Sequence, residues 1–162
     1  MKMIVAADRK GGIGKDGGLL VSIPSDMKYF RQQTMEKTIV MGRATLESFP
    51  GGKPLPKRRN VVLSTKLQPK EGIEICRSVD EVLELLKDED PDSIMIIGGG
   101  SVYREFMPYC SEALVTEIEA EFDADTFIPL PSESDEWELA SRGPSITEND
   151  TTYSFAVYRR IR

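Results

Sequence analysis

Short apolar runs alternate with amphipathic stretches along this chain, and each kind predicts a different element. The apolar runs predict strands at residues 3–7, 38–41, 60–64, 73–76, 93–100 and 113–122. The stretches between them predict helices near residues 25–35, 43–49, 79–87 and 101–107. Strands that alternate with helices are typical of an α/β fold with a largely parallel sheet, and continuous apolar runs suit strands that are buried on both faces.

The last part of the chain follows a different pattern. Segments 136–143 and 151–160 predict two further strands, which the polar loop "PSITEND" would join in an antiparallel hairpin at the edge of the sheet. With 162 residues, we expect a single domain, residues 1–162, built around one core.

Composition narrows the chemistry that is open to this chain. It contains no histidine, which excludes serine–histidine catalysis and histidine-bound zinc, so acid–base chemistry falls to carboxylates, lysines, tyrosines or water. Cys76 and Cys110 lack the spacing of a metal site, and we expect two buried, reduced thiols and no metal. The net charge of -6 disfavours nucleic acid, and no apolar run is long enough to cross a membrane, so we expect a cytoplasmic protein.

Two junctions between a strand and a helix have the pattern of a phosphate site. In "SIMIIGGGSVYREF", residues 93–106, three glycines separate a buried strand from a helix, an arrangement that suits either an anion or merely a tight turn. In "IVMGRATLESF", residues 39–49, Gly42 and Arg43 repeat the arrangement. Two such junctions in one small sheet favour a dinucleotide that extends across the carboxyl ends of the strands.

A third glycine-rich stretch, "KGGIGKDGG" at residues 10–18, superficially resembles a phosphate-binding loop. Arg9 stands where that motif needs its first glycine, and Asp16 replaces the serine or threonine that would hold magnesium. The stretch instead predicts a mobile loop that covers a site. We name residues 10–18 the glycine loop.

Asp26 is the acid of greatest interest, because it borders an apolar stripe at the start of a predicted helix. At helical spacing it shares a face with Met27, Phe30 and Thr34, and both a solvated helix-start acid and a functional acid fit this position. Thr116 is the only hydroxyl on the core-facing row of strand 113–122, and its partner is either Asp26 or the backbone. Burial of Asp26 would raise its pKa, which favours a role on a ligand.

Several segments together resemble dihydrofolate reductases of the bacterial chromosomal type. They are "MIVAADRKGGIGKDG", "IPSDMKYFRQQT", "IVMGRATLESFPGGKPLPKRRNVVLS", "IIGGGSVYREF" and "LVTEIEAEFDADTFIP", in order over residues 3–130. The resemblance implies a mostly parallel eight-stranded sheet with four flanking helices and an antiparallel C-terminal strand. It also implies hydride transfer from NADPH to C6 of 7,8-dihydrofolate, with Asp26 assisting protonation at N5 and Thr116 supporting Asp26.

The resemblance also implies two sets of binding residues and a cis peptide bond between Gly98 and Gly99. The substrate set is Ile4, Val5, Leu19, Met27, Phe30, Phe49, Lys53, Leu55, Arg58 and Ile97. The NADPH set is Ala6, Ile13, Gly14, Gly18, Arg43, Ala44, Thr45, Ser64, Thr65, Lys66, Arg77, Gly98, Gly99, Gly100, Ser101, Val102, Tyr103 and Thr126. We expect a monomer that binds dihydrofolate and diaminopyrimidine or pteridine antifolates.

Three positions depart from the pattern of that family. Val21 stands where most members have tryptophan, Ala124 where a glycine is common and Ser101 where many carry a basic residue. The missing indole removes a donor and an aromatic wall, so we expect altered catalysis and altered antifolate affinity. Two other functions stay open at this stage: a reductase of similar fold that acts on a ribosylated pyrimidine of riboflavin synthesis, and a nucleotide-binding module without catalysis.

Overall fold

The computed structural model describes residues 1–162, and its main feature is one large twisted sheet with helices on both faces. Six strands of this sheet run parallel, in the order β8-β1-β7-β4-β5-β6. Two further strands, β12 and β10, continue it antiparallel beyond β8. The predicted α/β fold with an eight-stranded sheet and four helices is therefore confirmed.

The elements have the following bounds. The strands are β1 Lys2–Ala7, β2 Gly12–Lys15, β3 Gly18–Leu19, β4 Thr38–Gly42, β5 Arg59–Leu63, β6 Ile73–Cys76, β7 Ile94–Gly98, β8 Glu112–Ile118, β9 Thr126–Phe127, β10 Trp137–Arg142, β11 Ile146–Glu148 and β12 Thr151–Arg160. The helices are α1 Pro24–Thr34, α2 Arg43–Ser48, α3 Val79–Leu85 and α4 Gly100–Phe106. Short 3-10 turns lie at residues 50–52, 91–93, 107–109 and 131–133.

The side chains of the sheet pack into separate apolar layers on its two faces. One layer joins Val82 of α3 and Phe106 of α4 to strand residues that include Val5 and Val40. The other layer includes Ile4, and Leu46 of α2 lies in it with Phe30 of α1 packed against it. Strand residues alternate between the layers because successive side chains point to opposite faces.

Two sequence predictions about the strands are wrong in part. The strand predicted to reach residue 122 ends at Ile118, because the Ala120 carbonyl accepts a bond from the Arg9 N–H instead of continuing the ladder. The loop "PSITEND" contains β11, which pairs with β12 across Asn149 and Asp150. Both of these residues have positive φ, 51° and 63°, as the tight turn of a two-residue hairpin requires.

The glycine loop is more ordered than a plain loop, since it contains β2 and ends in the first residue of β3. Strand β2 pairs with β3 on one side and with β9 on the other, which makes a small antiparallel sheet apart from the large one. The glycine loop is thereby attached to residues 126 and 127. None of the helices has the length and apolar character needed to cross a membrane.

Candidate active site

Asp26 and Thr116 meet at the face of the large sheet that α1 covers. Asp26 lies in the first turn of α1, and Thr116, 1% exposed, lies in β8. The Thr116 hydroxyl donates to Asp26 Oδ1 at 2.6 Å, and this is the only hydrogen bond to the Asp26 side chain. Burial raises the pKa of Asp26, and the bond from Thr116 opposes that rise to a smaller extent. The site therefore holds an acid that is more ready to keep its proton than an ordinary aspartate.

The start of α1 is fixed by a residue that is distant in sequence. Ile23 precedes the helix and offers no side-chain cap, and Pro24 occupies the first helical position. Glu148 of β11 caps the helix instead, because its carboxylate accepts from the Ser25 N–H at 3.0 Å and from the Ser25 hydroxyl at 2.7 Å. No local sequence signal identifies this contact, since the partners are 123 positions apart.

Apolar side chains from β1, β7, α1 and the segment after α2 form one layer on the face that α1 covers. Five members of the expected substrate set share one layer: Ile4, Ile97, Phe30, Phe49 and Leu55. The Tyr103 hydroxyl donates to the Ile4 carbonyl at 2.7 Å and so fixes that wall. The apolar layer therefore lies on the same side of the sheet as α1, the helix that carries Asp26.

The other members of the expected substrate set lie outside this apolar layer. The side chain of Val5 packs into the layer on the opposite face, so only its main chain is available on the side of Asp26. Met27 is 51% exposed on α1, and Leu19 is 66% exposed in β3. Lys53 is exposed at the end of a 3-10 turn.

Arg58 directly precedes β5, and part of its guanidinium is unused. Its Nε is buried and has no hydrogen-bond partner, and burial together with the charge of Arg31 lowers its pKa. Asn60, 3% exposed, holds the preceding turn through bonds to the Leu55 N–H and to the Leu55 and Arg58 carbonyls. Sequence reasoning missed Arg31 and Asn60, although the spacing of Arg31 one turn beyond Met27 was a usable signal.

The ends of β4 and β7 form a surface without side chains. Gly98 has φ of 113°, a Cβ on it would lie 3.0 Å from the Tyr103 ring, and the Gly98–Gly99 peptide is cis as expected. A Cβ on Gly100 would lie 2.6 Å from Thr126 Cγ2, whereas one on Gly99 would meet only Thr45 Oγ1, at 3.9 Å. The backbone of Gly99 is therefore open to an approaching ligand.

The remaining expected cofactor residues differ in their exposure and in the contacts that their side chains already make. Ser101, Ala44, Thr65 and Lys66 are exposed, whereas the Val102 side chain is 4% exposed and belongs to the core. Arg77 donates to the Ser64 and Leu67 carbonyls, both at 2.9 Å, and so holds the turn that carries Ser64. Arg43 pairs with Glu47 at 3.3 Å on the surface. Arg43 and Lys66 are thus the cations that a phosphate could recruit with least rearrangement.

The glycine loop reaches the site from the side of β1. Ile13 packs against the core, and the Gly14 carbonyl accepts from the Asp125 N–H at 3.0 Å. The Asp16 N–H donates to Asp125 Oδ2 at 2.9 Å, so Asp125 holds the loop at two points. Gly18 is exposed in β3.

Val21 follows the glycine loop and packs in a small apolar cluster. Its neighbours include Ile23, Ile118 and Tyr153, with Ala6 at the border. The hydroxyl of Tyr153 is buried without a hydrogen-bond partner. The position that carries tryptophan in most of the resembled family is therefore occupied by a small side chain beside a buried phenol.

Comparison with known proteins agrees with this geometry. Residues 1–160 match the model of the family described as Dihydrofolate reductase. The chain is 36% identical to the dihydrofolate reductase of Staphylococcus haemolyticus, covering 100% of this chain and 96% of the relative. It is 40% identical to the bifunctional dihydrofolate reductase-thymidylate synthase of Daucus carota, of which it spans 34%.

A solved structure gives the same assignment. The dihydrofolate reductase of Enterococcus faecalis, complexed with NADP(H) and RAB-propyl, superposes with a TM-score of 0.86 at 33% identity, covering 99% of this chain and 96% of that one. A match of this extent in both sequence and structure leaves one assignment: the chain belongs to the dihydrofolate reductase family.

Proposed function

We propose that this oxidoreductase reduces 7,8-dihydrofolate to tetrahydrofolate with NADPH, and that Asp26 assists protonation at N5. The observation that carries the proposal is the acid itself. Asp26 is held by a single hydroxyl, is partly buried, and has a raised pKa. An acid poised in this way suits proton delivery to a nitrogen of a bound heterocycle.

The apolar layer between α1 and the sheet would suit a flat ring with a charged tail. Ile4, Phe30 and Phe49 provide the apolar walls, and Asp26 provides an acceptor for the amino group and ring N–H of a pterin. Arg58, whose buried Nε has no partner, would bind the α-carboxylate of the glutamate tail. A diaminopyrimidine or pteridine antifolate presents the same donors to Asp26.

The residues at the ends of β4 and β7 fit NADPH. Gly99 offers backbone that a phosphate can approach closely, and a side chain at this position would fill the cradle. Arg43, Thr45 and Ser64 to Lys66 would hold the phosphates, while Ile13, Gly14 and Ala6 would border the nicotinamide. NADPH, when bound, supplies the hydride that reduces C6 of the substrate.

The protein contributes placement, exclusion of water and a proton. The glycine loop, fastened by Asp125, would cover the reacting atoms and keep solvent from them. Thr116 orients Asp26 through its bond to Oδ1, so the second oxygen is free for the substrate or for a bridging water. These roles require no imidazole, in agreement with a chain that has no histidine.

We further propose that the protein acts in the cytoplasm. Cys76 and Cys110 are both buried free thiols, which is the state that a reducing compartment maintains. The single domain and the monomeric state stay predictions. Sedimentation of the purified protein measures the latter directly.

The test is the loss of NADPH absorbance with and without dihydrofolate. We expect oxidation only with the substrate present, and turnover of a ribosylated pyrimidine in its place would overturn the substrate assignment. Titrations with NADPH alone, folate alone and both together measure binding and its cooperativity. With the turnover assay they separate an enzyme from a binding module, which would bind without turnover.

Arg58→Leu extends this test to the tail. Loss of a charge-assisted contact of about 1.5–3 kcal/mol predicts a rise of roughly tenfold to a hundredfold in the KM for dihydrofolate. Arg59→Leu is the matched control, because it removes the same charge from a neighbour that is engaged with Glu74 and Glu89. Equal effects of the two variants would contradict the assignment of Arg58.

A further inference from the structure

Asp8 is a buried acid that the proposed mechanism does not use. It follows β1 directly and is 2% exposed. Its Oδ1 accepts from the Lys10 N–H at 2.9 Å and from the Gly12 N–H at 2.8 Å, and its Oδ2 accepts from the Phe122 N–H at 2.9 Å. The carboxylate therefore binds two segments of chain that are more than a hundred positions apart, through backbone alone.

These two segments are the glycine loop and residues 119–128, which we name the 119–128 segment. Backbone bonds also join the two segments, since the Asp125 N–H donates to the Gly14 carbonyl at 3.0 Å and the Ile128 N–H to the Gly11 carbonyl at 2.9 Å. The ion pairs of Lys10 with Glu121 and of Lys15 with Asp123 are exposed and contribute little. Asp8 adds a buried carboxylate that receives three N–H bonds from both segments and so holds them firmly.

Asp8, Gly12 and Ala124 pack so tightly that a shift of one would displace the others. A Cβ on Gly12 would lie 2.7 Å from Asp8 Oδ2 and 2.7 Å from the Cβ of Ala124. The absence of a side chain at Gly12 therefore makes room for both the carboxylate and the methyl group of Ala124. Ala124 stands next to Asp125, which holds the outer part of the glycine loop.

We propose that Asp8 is a positioning residue that ties the glycine loop to the 119–128 segment and thereby sets the loop over the nicotinamide side of the site. The inference rests on the proposed function, since it gives Asp8 a role in that reaction. Asp8 belongs to neither the expected substrate set nor the expected NADPH set. It acts through Gly12 and Phe122, whose N–H groups it holds.

Asp8→Asn distinguishes the bonds of Asp8 to the glycine loop from its bond to the 119–128 segment. The amide oxygen can keep the bonds to Lys10 and Gly12, but the amide NH2 then faces the Phe122 N–H, where two donors meet. The local turn survives while the bond to the 119–128 segment is lost. Asp90→Asn is the matched control, because Asp90 Oδ1 accepts from the Asp92 N–H at 3.0 Å, the same local bond far from the loop.

The first measurement is hydrogen exchange on the protein without ligands. If Asp8 positions the whole loop, the N–H groups of Asp16, Asp125 and Ile128 exchange faster by about tenfold or more, although Asp8 bonds none of them. These amides bond to acceptors across the junction. Acceleration of the Phe122 amide alone, or of none, would overturn the inference. The exchange needs no turnover, so its outcome is independent of whether the proposed function holds.

The second measurement is steady-state kinetics with both substrates. We expect Asp8→Asn to raise the KM for NADPH by about tenfold and the KM for dihydrofolate by less than about threefold, because the loop borders only the nicotinamide. Val82→Ala serves as a stability control, since Val82 is fully buried on α3. Equal rises in the two KM values, or rises of the same pattern in Val82→Ala, would contradict a positioning role.

Gly12→Ala keeps the inference testable if Asp8→Asn fails to fold. The added methyl group displaces the Asp8 carboxylate and Ala124, but the acid itself is retained. We expect the same exchange and kinetic pattern, with partial recovery in Gly12→Ala/Ala124→Gly because one of the two clashes is then removed. A single variant Gly12→Ala with wild-type exchange and kinetics would refute the coupling.

Discussion

Replacing Asp26 by asparagine removes the acid and leaves its surroundings almost unchanged. The amide oxygen can still accept from the Thr116 hydroxyl, which lies 2.6 Å from Oδ1 in the wild type. Proton delivery by a positioned acid is worth about 10²–10⁴-fold, or about 3–5 kcal/mol of barrier. We therefore expect a loss of that order at pH 7, which becomes smaller as the pH falls and solvent protons reach N5.

The same substitution should stabilise the fold. Burial raises the pKa of Asp26 in the folded protein. The protonated acid therefore contributes its full stability below the unfolded pKa of about 3.9, and this contribution is lost as the pH rises through the folded pKa. Asparagine does not titrate. The Thr116 hydroxyl can still donate to the amide oxygen, so the substitution removes the cost of burying a charge and leaves no buried donor unpaired.

Two assays check these expectations between pH 4 and pH 9. NADPH oxidation gives the rate, and thermal unfolding in the same buffers gives the stability difference, with Asp90→Asn as the control for removing an exposed acid. Asp26→Asn should be the more stable protein at high pH, with the difference vanishing near pH 4. Full activity at neutral pH, or a stability advantage that grows towards low pH, would refute the reasoning.

Three further outcomes follow from other contacts. Glu148→Gln should lower the melting temperature at pH 7, and the difference should disappear as the pH falls, because the bonds from Ser25 hold the pKa of Glu148 below its ordinary value. Gly98→Ala should lower the free energy of unfolding in denaturant by about 1–3 kcal/mol. Gly99→Ala should leave the free energy of unfolding nearly unchanged and weaken NADPH binding, and equal stability losses in the two variants would contradict the phosphate site proposed at Gly99. Val21→Trp should change both the pH profile and the affinity for diaminopyrimidines, and identical values in the two proteins would remove the importance given to Val21.

Much of the fold could be predicted because the pattern of the chain is strongly periodic. The pairing of Thr116 with Asp26 was one of two alternatives that followed from a strand period of two and a helical period of 3.6. The same strand period places Ile4 and Val5 on opposite faces, as observed, although family resemblance had grouped them. The strand period therefore predicted which face of the sheet each side chain occupies, which the family resemblance did not.

What the sequence could not predict depends on contacts between distant residues. Glu148 and Asp8 look like ordinary surface acids in a chain with many charges, and only the fold brings them to Ser25 and Phe122. β11 was missed for another reason, because three residues give too little pattern to identify a strand. Its turn at Asn149 and Asp150 was the available signal, since these residue types tolerate positive φ.

Strand β8 takes its two neighbours from opposite sides in sequence. β1 precedes it, whereas β12 follows it, and Phe155 of β12 stacks on Tyr29 of α1 with ring centroids 4.2 Å apart. Until residues 146–160 emerge, a nascent chain carries β8 as an open edge and α1 without either its aromatic neighbour or the carboxylate of Glu148. The surroundings of Asp26 are therefore completed only after residues 146–160 have been made, and chains that stall before that point present an unpaired strand to chaperones or to one another.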